Sequence, residues 1–388
     1  MKIRSKQLSA VAAGAFSAGL LSLMLVKPVH SQQAQHLSPP ATGITAGQYF
    51  KNVTTSTLKT LSPSDFMGAM GVMTAAVGYD CSNCHPGAGT DAMDFVTDSN
   101  PRKLTARRMV EMVAAINKNF FGGGQRVTCW TCHHGLDQPT TSIALDKLYG
   151  DPNDEKGDIL AAQPGQPSAA KIFDQYVEAA GGAQKMTGLK SYVATGKSIG
   201  YGGVGGAGAL QIYARAPDSR AMWINFPQFP DRGISAWTFD GKVGWISQPR
   251  GYMPLYELAG NDLAGAKLDA IVSFPAEIKN AFPTWRVAFD DIINGRDVYV
   301  VQGNASGGGV VGTFYFDKQT HLLSRFVRRT PSPVGRITIQ QDFENYKDVD
   351  GIKFPFKYSF LWLDGRFTAE ISDVKVNVPI EAAKFGKP

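Results

Sequence analysis

Hydrophobic positions along the 388-residue chain change their period twice. Residues 8–26 form one apolar run rich in Ala, Gly and Leu. Between residues 46 and 120 apolar side chains recur three and four apart, the helical spacing. From about residue 191 onward they alternate with polar ones, the strand spacing. The pattern predicts an α+β chain with a helical first half and an antiparallel second half.

Local signals sharpen these elements. Residues 46–61 predict a helix, and Ser62-Pro63-Ser64-Asp65 restarts the chain with a capped one beginning near Asp65. That helix carries Met67, Met70 and Met73, and Gly78 interrupts it. Asn100-Pro101 breaks the chain again, and Thr105 is placed to cap a helix with the apolar stripe Met109, Val110, Met112, Val113 and Ile116. Three glycines, Gly122 to Gly124, end it. Residues 137–166, rich in Pro, Asp, Gly and Thr, read as a linker with at most a short helix at 143–148. Residues 169–180 form an amphipathic helix stopped by Gly181-Gly182. Alternating segments then follow at 191–198, 210–216, 221–226 and 233–247. Asp240-Gly241, Asn294-Gly295, Asp350-Gly351 and Asp364-Gly365 are hairpin signals, so the strands are antiparallel. Residues 254–282 read as two helical pieces that cover one mouth of a curved sheet.

Length exceeds the usual size of a single core. The expected organisation is a segment 1–31, a helical domain 32–136, a linker 137–168 and an antiparallel β half-barrel with covering helices, 169–388. Lys2, Arg4 and Lys6 before the apolar run make the first segment a secretory signal, with a small-residue cleavage site at Val29-His30-Ser31. The run is also long enough to serve as an uncleaved anchor. The chain is therefore expected to be exported to the periplasm, either free or membrane-associated through that segment. The formal charge of +6 includes four positive residues and no acids before Gln32, which leaves +2 for the rest. Such a balance gives no support to nucleic-acid binding.

The four cysteines fall in one repeated word, Cys81-Ser82-Asn83-Cys84-His85 and Cys129-Trp130-Thr131-Cys132-His133. On a helical turn the two cysteines and the histidine share a face. Cys81, Cys84, Cys129 and Cys132 can then form thioethers with porphyrin vinyl groups while His85 and His133 each bind an iron, the attachment signature of haem c. A four-cysteine zinc site or a thiol–disulfide pair would leave both histidines unexplained. Two covalently bound haems c are the expected cofactors. Arg102, Lys103, Arg107, Arg108 and Arg126 surround the second word and suit propionates, or else form a solvated helix face.

The sixth iron position is narrowed by inventory. His30 leaves with the signal, His36 lies in the leader, His134 follows a ligand too closely and His321 belongs to the other half. Methionine is the better donor: six of eleven lie at positions 67, 70, 73, 93, 109 and 112, where core filling is the ordinary use.

The run from Met70 through Gly78 to Cys81, with Thr105-Ala106-Arg107-Arg108-Met109, Asn117 and Val127-Thr128-Cys129-Trp130-Thr131-Cys132-His133, resembles the cytochrome c subunit of photosynthetic reaction centres. The resemblance implies a helix bearing the axial methionine, a turn and a haem word in each unit, with Met70 and Met109 as the metal ligands. The chain length between each methionine and its word agrees, since Met73 and Met112 leave less room for the return. Two haem words stand here where the photosynthetic subunit has four, and Cys-His-His-Gly stands where Cys-His-Arg-Gly is common. The dihaem electron-transfer module is what the resemblance carries over. Partners implied are a redox donor and acceptor, including a membrane complex such as a reaction centre.

The second half, with Tyr176-Val177-Glu178-Ala179-Ala180-Gly181-Gly182 and Asp350-Gly351-Ile352-Lys353-Phe354-Pro355, resembles the lipoprotein-carrier half-barrel. Sheets of that kind enclose an apolar ligand, although five of the six tryptophans lie here and core filling accounts for them. No nucleophile–base pair or metal cluster is legible in this half. The leading reading is an electron carrier and not an enzyme. The alternatives are a dihaem peroxidase, which needs an open iron, and a ligand carrier with a haem redox sensor.

Overall fold

The computed structural model describes residues 37–90, 92–142, 159–201, 206–305 and 309–388. The segment read as a secretory signal and the short helix expected at 143–148 lie outside them. Seven α-helices are described: α1 (Ala46–Tyr49), α2 (Pro63–Val77), α3 (Pro101–Phe120), α4 (Cys129–His133), α5 (Ala169–Ala180), α6 (Ala183–Gly188) and α7 (Gly260–Ile271). The strands are β1 (Ser191–Ile199), β2 (Ala207–Arg215), β3 (Ser219–Asn225), β4 (Ile234–Phe239), β5 (Gly244–Ser247), β6 (Leu255–Glu257), β7 (Trp285–Val287), β8 (Asp291–Ile293), β9 (Arg296–Asn304), β10 (Val311–Asp317), β11 (Leu323–Ser332), β12 (Gly335–Val349), β13 (Ile352–Trp362) and β14 (Gly365–Val376).

These strands make one open antiparallel sheet in the order β6-β5-β4-β3-β2-β1-β14-β13-β12-β11-β10-β9-β7, with β8 beside β9. Turn chemistry fixes the hairpins. Asn294-Gly295 and Asp350-Gly351 both take positive φ, the pair of left-handed residues that matches the strand twist. Helix α7 touches β3, β4 and β11. Six strand steps separate β3 from β11, roughly 29 Å on a flat sheet, whereas a helix of 12 residues is only about 18 Å long. The sheet therefore curls round α7.

Its inner face is filled rather than hollow. Phe314, Phe316, Phe326, Ile212 and Ile224 are almost fully buried beneath α5, α7 and the turn Pro275–Asn280. Trp285 packs edge-on against Phe173, Phe282 and Phe314. A cavity of about 50 Å³ lies among Tyr176, Tyr192 and Tyr358. That is room for a few waters and far below an ordinary ligand pocket.

Two differences from the sequence expectation concern helix limits. Residues 46–61 give only α1 and a short 3-10 turn at Leu58–Thr60, because Asn52 takes positive φ between them and residues 53–57 are β-branched or polar. Helix α3 begins at Pro101, not at Thr105: the Asn100 side chain accepts from Arg102 N at 3.0 Å and Pro101 fills the first helical position. Residues 254–282 contain the expected two helical pieces preceded by β6.

The helical half packs directly on the sheet. Ala69 and Val72 of α2 share a cluster with Val110, Val334 and Ile337, while Ala46 and Phe50 join Met253, Tyr256 and Leu258. The start of α2 also caps α7. Ser64 Oγ accepts from Ala259 N at 3.3 Å and Asp65 Oδ1 from Asp262 N at 3.2 Å, supplying acceptors that the start of α7 lacks locally.

This capping brings two acids together. Burial, and then the Asp65 carboxylate, push Asp262 up to about 7, while Arg328 opposes them. Burial likewise raises Asp65, against hydrogen bonds from Ser62 and the backbone of α7. Both carboxyls are near 4 in an unfolded chain, so the folded state holds more protons above about pH 4, on Asp262 up to about pH 7. The contribution of Asp262 to stability is thus present below about pH 4 and lost as pH rises through about 7. Wild type should lose more unfolding free energy than Asp262→Asn between about pH 5 and 8. Equal slopes in denaturant titrations would contradict the pairing.

Candidate functional site

Helix α2 presents Met67, Met70, Met73 and Val77 along one side, three or four residues apart, to a cavity of about 410 Å³. Its other side, Ala69, Val72 and Ala76, is buried. Gly78 ends the helix at φ +68, and Tyr79 N donates to Thr74 O at 3.0 Å. This is a left-handed helix stop that turns the chain back at once. Asp80 then caps the next turn, its Oδ1 accepting from Ser82 N at 2.7 Å. The 3-10 turn Cys81–Asn83 follows, with His85 N bonded to Cys81 O at 2.9 Å. Cys81, Cys84 and His85 all reach the cavity wall.

The second unit is built by different contacts. Asn117, buried in α3, folds the return of residues 121–128 onto the helix: its Nδ2 donates to Val127 O at 2.7 Å and its Oδ1 accepts from Arg126 N and Val127 N at 2.9 Å. Thr128 caps α4 through Thr131 N at 3.3 Å. The word is also pinned to the β-half, since Cys129 N donates to Val334 O at 3.1 Å and Gln125 Nε2 to Ser332 O at 2.5 Å. Cys129 and His133 line the same cavity as the first word. Its volume lies within the usual range of small-molecule sites.

Of the two methionines named from the sequence, Met70 and Met109 both line this cavity. Met112, three residues further along α3, is 42% exposed and is not among the residues lining it. Met67 and Met73 also lie on the wall. The positive residues are arranged otherwise than the sequence suggested. Arg102 and Lys103 sit by the first word, where Arg102 donates to Asn83 O at 3.2 Å and stacks over Tyr79 at 4.9 Å. Arg107 reaches the wall but is held bidentate by Asp98 at 2.9 and 3.0 Å, and holds Asp98 down to about 2. Arg108 and Arg126 are exposed.

The donor set suits a tethered haem better than the competing uses of cysteine. Burial raises the thiols of Cys81 and Cys84 and pushes Cys129 up to about 11. Redox-active and metal-binding thiols need the opposite, a stabilised thiolate. Among the described residues no group of three or more His, Cys, Asp or Glu side chains is placed to hold one metal ion. Burial, and then Lys103, push His85 down to about 4, so its imidazole is neutral and keeps a lone pair. His133 Nδ1 lies 2.9 Å from Leu136 O. A carbonyl can only accept, so Nδ1 carries the hydrogen and Nε2 presents its lone pair, the usual tautomer of a metal-binding histidine.

Residues that the sequence did not single out complete the wall. Phe95 and Tyr252 line it, and Tyr252 comes from the loop between β5 and β6. No local pattern marks Tyr252, because its contact depends on how the two halves meet.

Residues 17–174 match the sequence model of the photosynthetic reaction centre cytochrome C subunit family. The chain is 30% identical over 154 residues to the photosynthetic reaction center cytochrome c subunit of Rubrivivax gelatinosus, covering 38% of this chain and 39% of that protein. The subunit of Thermochromatium tepidum is 33% identical over 131 residues, covering 32% and 30%. The matches thus span between three and four tenths of these relatives' length. Solved structures similar over the other half include a LolA superfamily protein from Nitrosomonas europaea, at 13% identity and TM-score 0.38 over 57% of this chain and 99% of that one. A DUF1329 family protein from Desulfovibrio piger gives 12% identity and TM-score 0.37 over 56% and 96%.

The two units meet at Gly78. A Cβ there would lie 2.2 Å from Gly135 O, while Gly135 N donates to Ala76 O at 2.8 Å just beyond the second word. Gly78→Ala should therefore cost about 2 kcal/mol or more, combining left-handed backbone strain with displaced chain. Gly89→Ala, at φ +84 with nothing within 4 Å, should show only the backbone cost of about 1 kcal/mol. Equal losses for the two variants in chemical unfolding would contradict the close approach.

Proposed function

We propose that the chain is an exported dihaem c-type cytochrome that transfers electrons and is not an enzyme. The observation that carries this reading is one cavity lined by Cys81, Cys84 and His85 of the first word, by Cys129 and His133 of the second, and by Met70 and Met109, while Cys132 is exposed and lies off that lining. Cys81 with Cys84 and Cys129 with Cys132 would tether the two porphyrins, and His85 with His133 would supply one nitrogen to each iron. Met70 and Met109, which line the cavity from α2 and α3, would supply a thioether sulfur to each iron. Each haem iron, when bound, supplies a one-electron ferric/ferrous couple.

The chain's own residues shape that couple. Thioether sulfur favours ferrous iron, which raises the potential above that of a bis-histidine site. Met67, Met73 and Val110 on the wall exclude water and keep the local dielectric low. Arg102 would offer positive charge for a propionate beside the first word, whereas the Lys103 ammonium is taken up by Phe95 O and Asp98. Residues of both words line one cavity, which would bring the two sites near each other and suit a chain that passes electrons to a redox partner. The relatives' role suggests a periplasmic donor and a membrane complex as such partners. The β-half then serves to anchor the second word, through Val334 and Ser332, and to dock a partner; its filled inner face leaves no room for the apolar ligand that the sequence allowed.

A potentiometric titration followed by visible absorbance tests the ligand assignment. Wild type should titrate as two high-potential waves and resist carbon monoxide. Met109→His should lower one wave by on the order of 0.1 V or more, within the roughly 0.8 V span that axial ligands control. Met112→Leu should change neither. If Met112→Leu moved a wave as Met109→His did, the ligand assignment would be wrong.

A further inference from the structure

His85 and His133 hold the same place in their words, yet their rings are fixed by different means. His133 Nδ1–H donates to Leu136 O at 2.9 Å. His85 Nδ1 is buried with no hydrogen-bond partner among the described residues. Its ring instead rests against Phe95, 4.8 Å between centroids, and Phe95 stacks on Tyr252 at 4.2 Å and 30°. Tyr252 belongs to the β-half. The loop that delivers it is closed by Gln248 N to Pro254 O at 2.8 Å, and Tyr252 O accepts from Leu37 N at 3.2 Å. The next residue, Met253, is 2% exposed and anchors that loop in the cluster with Ala46 and Phe50. Phe50 also stacks with Tyr252, at 6.2 Å and 18°.

We propose that Tyr252 is a positioning residue for His85, acting through Phe95, and that this stack makes the haem on the first word the one of higher potential. The inference rests on the dihaem reading above. A ligating histidine that donates its second N–H to a carbonyl becomes more basic and favours ferric iron. His133 does this and His85 does not. On this proposal the aromatic stack sustains the difference by keeping water from His85 Nδ1, since Phe95 lies against the His85 ring and Tyr252 against Phe95. Electrons are then drawn from the second word toward the first, and the β-half sets the gradient by contributing one ring.

The test is a redox titration of the full haem-loaded protein in three variants. Tyr252→Ala admits water to Nδ1, so the upper of the two midpoints should fall while the lower stays. Tyr252→Phe keeps the ring and should leave both unchanged. Phe95→Leu removes the piece that touches His85 and should lower the same upper midpoint, which keeps the proposal testable if Tyr252→Ala folds poorly. Haem absorbance of each denatured variant reads attachment separately from potential. With both haems attached, a shift confined to the lower midpoint, no shift in either alanine or leucine variant, or a Tyr252→Phe response equal to Tyr252→Ala would overturn the proposal. A wild type with no covalent haem would instead overturn the dihaem reading on which it stands.

Discussion

One helix has to satisfy three surfaces at once, and most of the molecule follows from that constraint. α2 turns its methionines to the cavity, packs Ala69 and Val72 against Val110, Val334 and Ile337, and uses Ser64 and Asp65 to cap α7. Small residues make this possible. A Cβ at Gly68 would sit 2.4 Å from Ile337 Cδ1, and one at Gly71 would meet Leu363 at 3.5 Å. The helix therefore lies close on β12 and its hairpin neighbour, which fixes how far its methionines reach into the cavity.

The same packing makes the β-half part of the site. Its largest buried cluster contains no residue before Ile172, so its core is its own. Yet Val334, Ser332 and Tyr252 all extend toward the two Cys-x-x-Cys-His words. The filled inner face and the small cavity of about 50 Å³ point to a scaffold role for the sheet. Helix α7 is its hub, touching distant strands on one side and the start of α2 on the other.

Much of this was legible in the sequence where the physics is local. Period-two alternation and dipeptides such as Asn294-Gly295 marked the hairpins, because two left-handed residues in a row demand those side chains. The repeated Cys-x-x-Cys-His word marked the cavity wall, and Gly78 marked the end of α2. Helix limits failed where two signals competed, as at Asn100-Pro101 against Thr105. Long-range contacts were invisible. Asp65 caps a helix 197 residues away from it in the bond to Asp262 N, and Tyr252 reaches Phe95 across the junction between halves. Neither leaves a periodic trace, since each depends on how the sheet curls. The placement of Arg102 beside the first word likewise follows from where α3 starts in space, which its neighbours in sequence do not encode.

The central claim is covalent attachment at both words, and the mass of the denatured, processed chain tests it most directly. Thioether bonds survive unfolding, whereas zinc and non-covalent haem are lost with the fold. The account predicts a mass above that of the processed polypeptide by two haems, falling by one in Cys132→Ser. A wild-type mass equal to the bare polypeptide would contradict it.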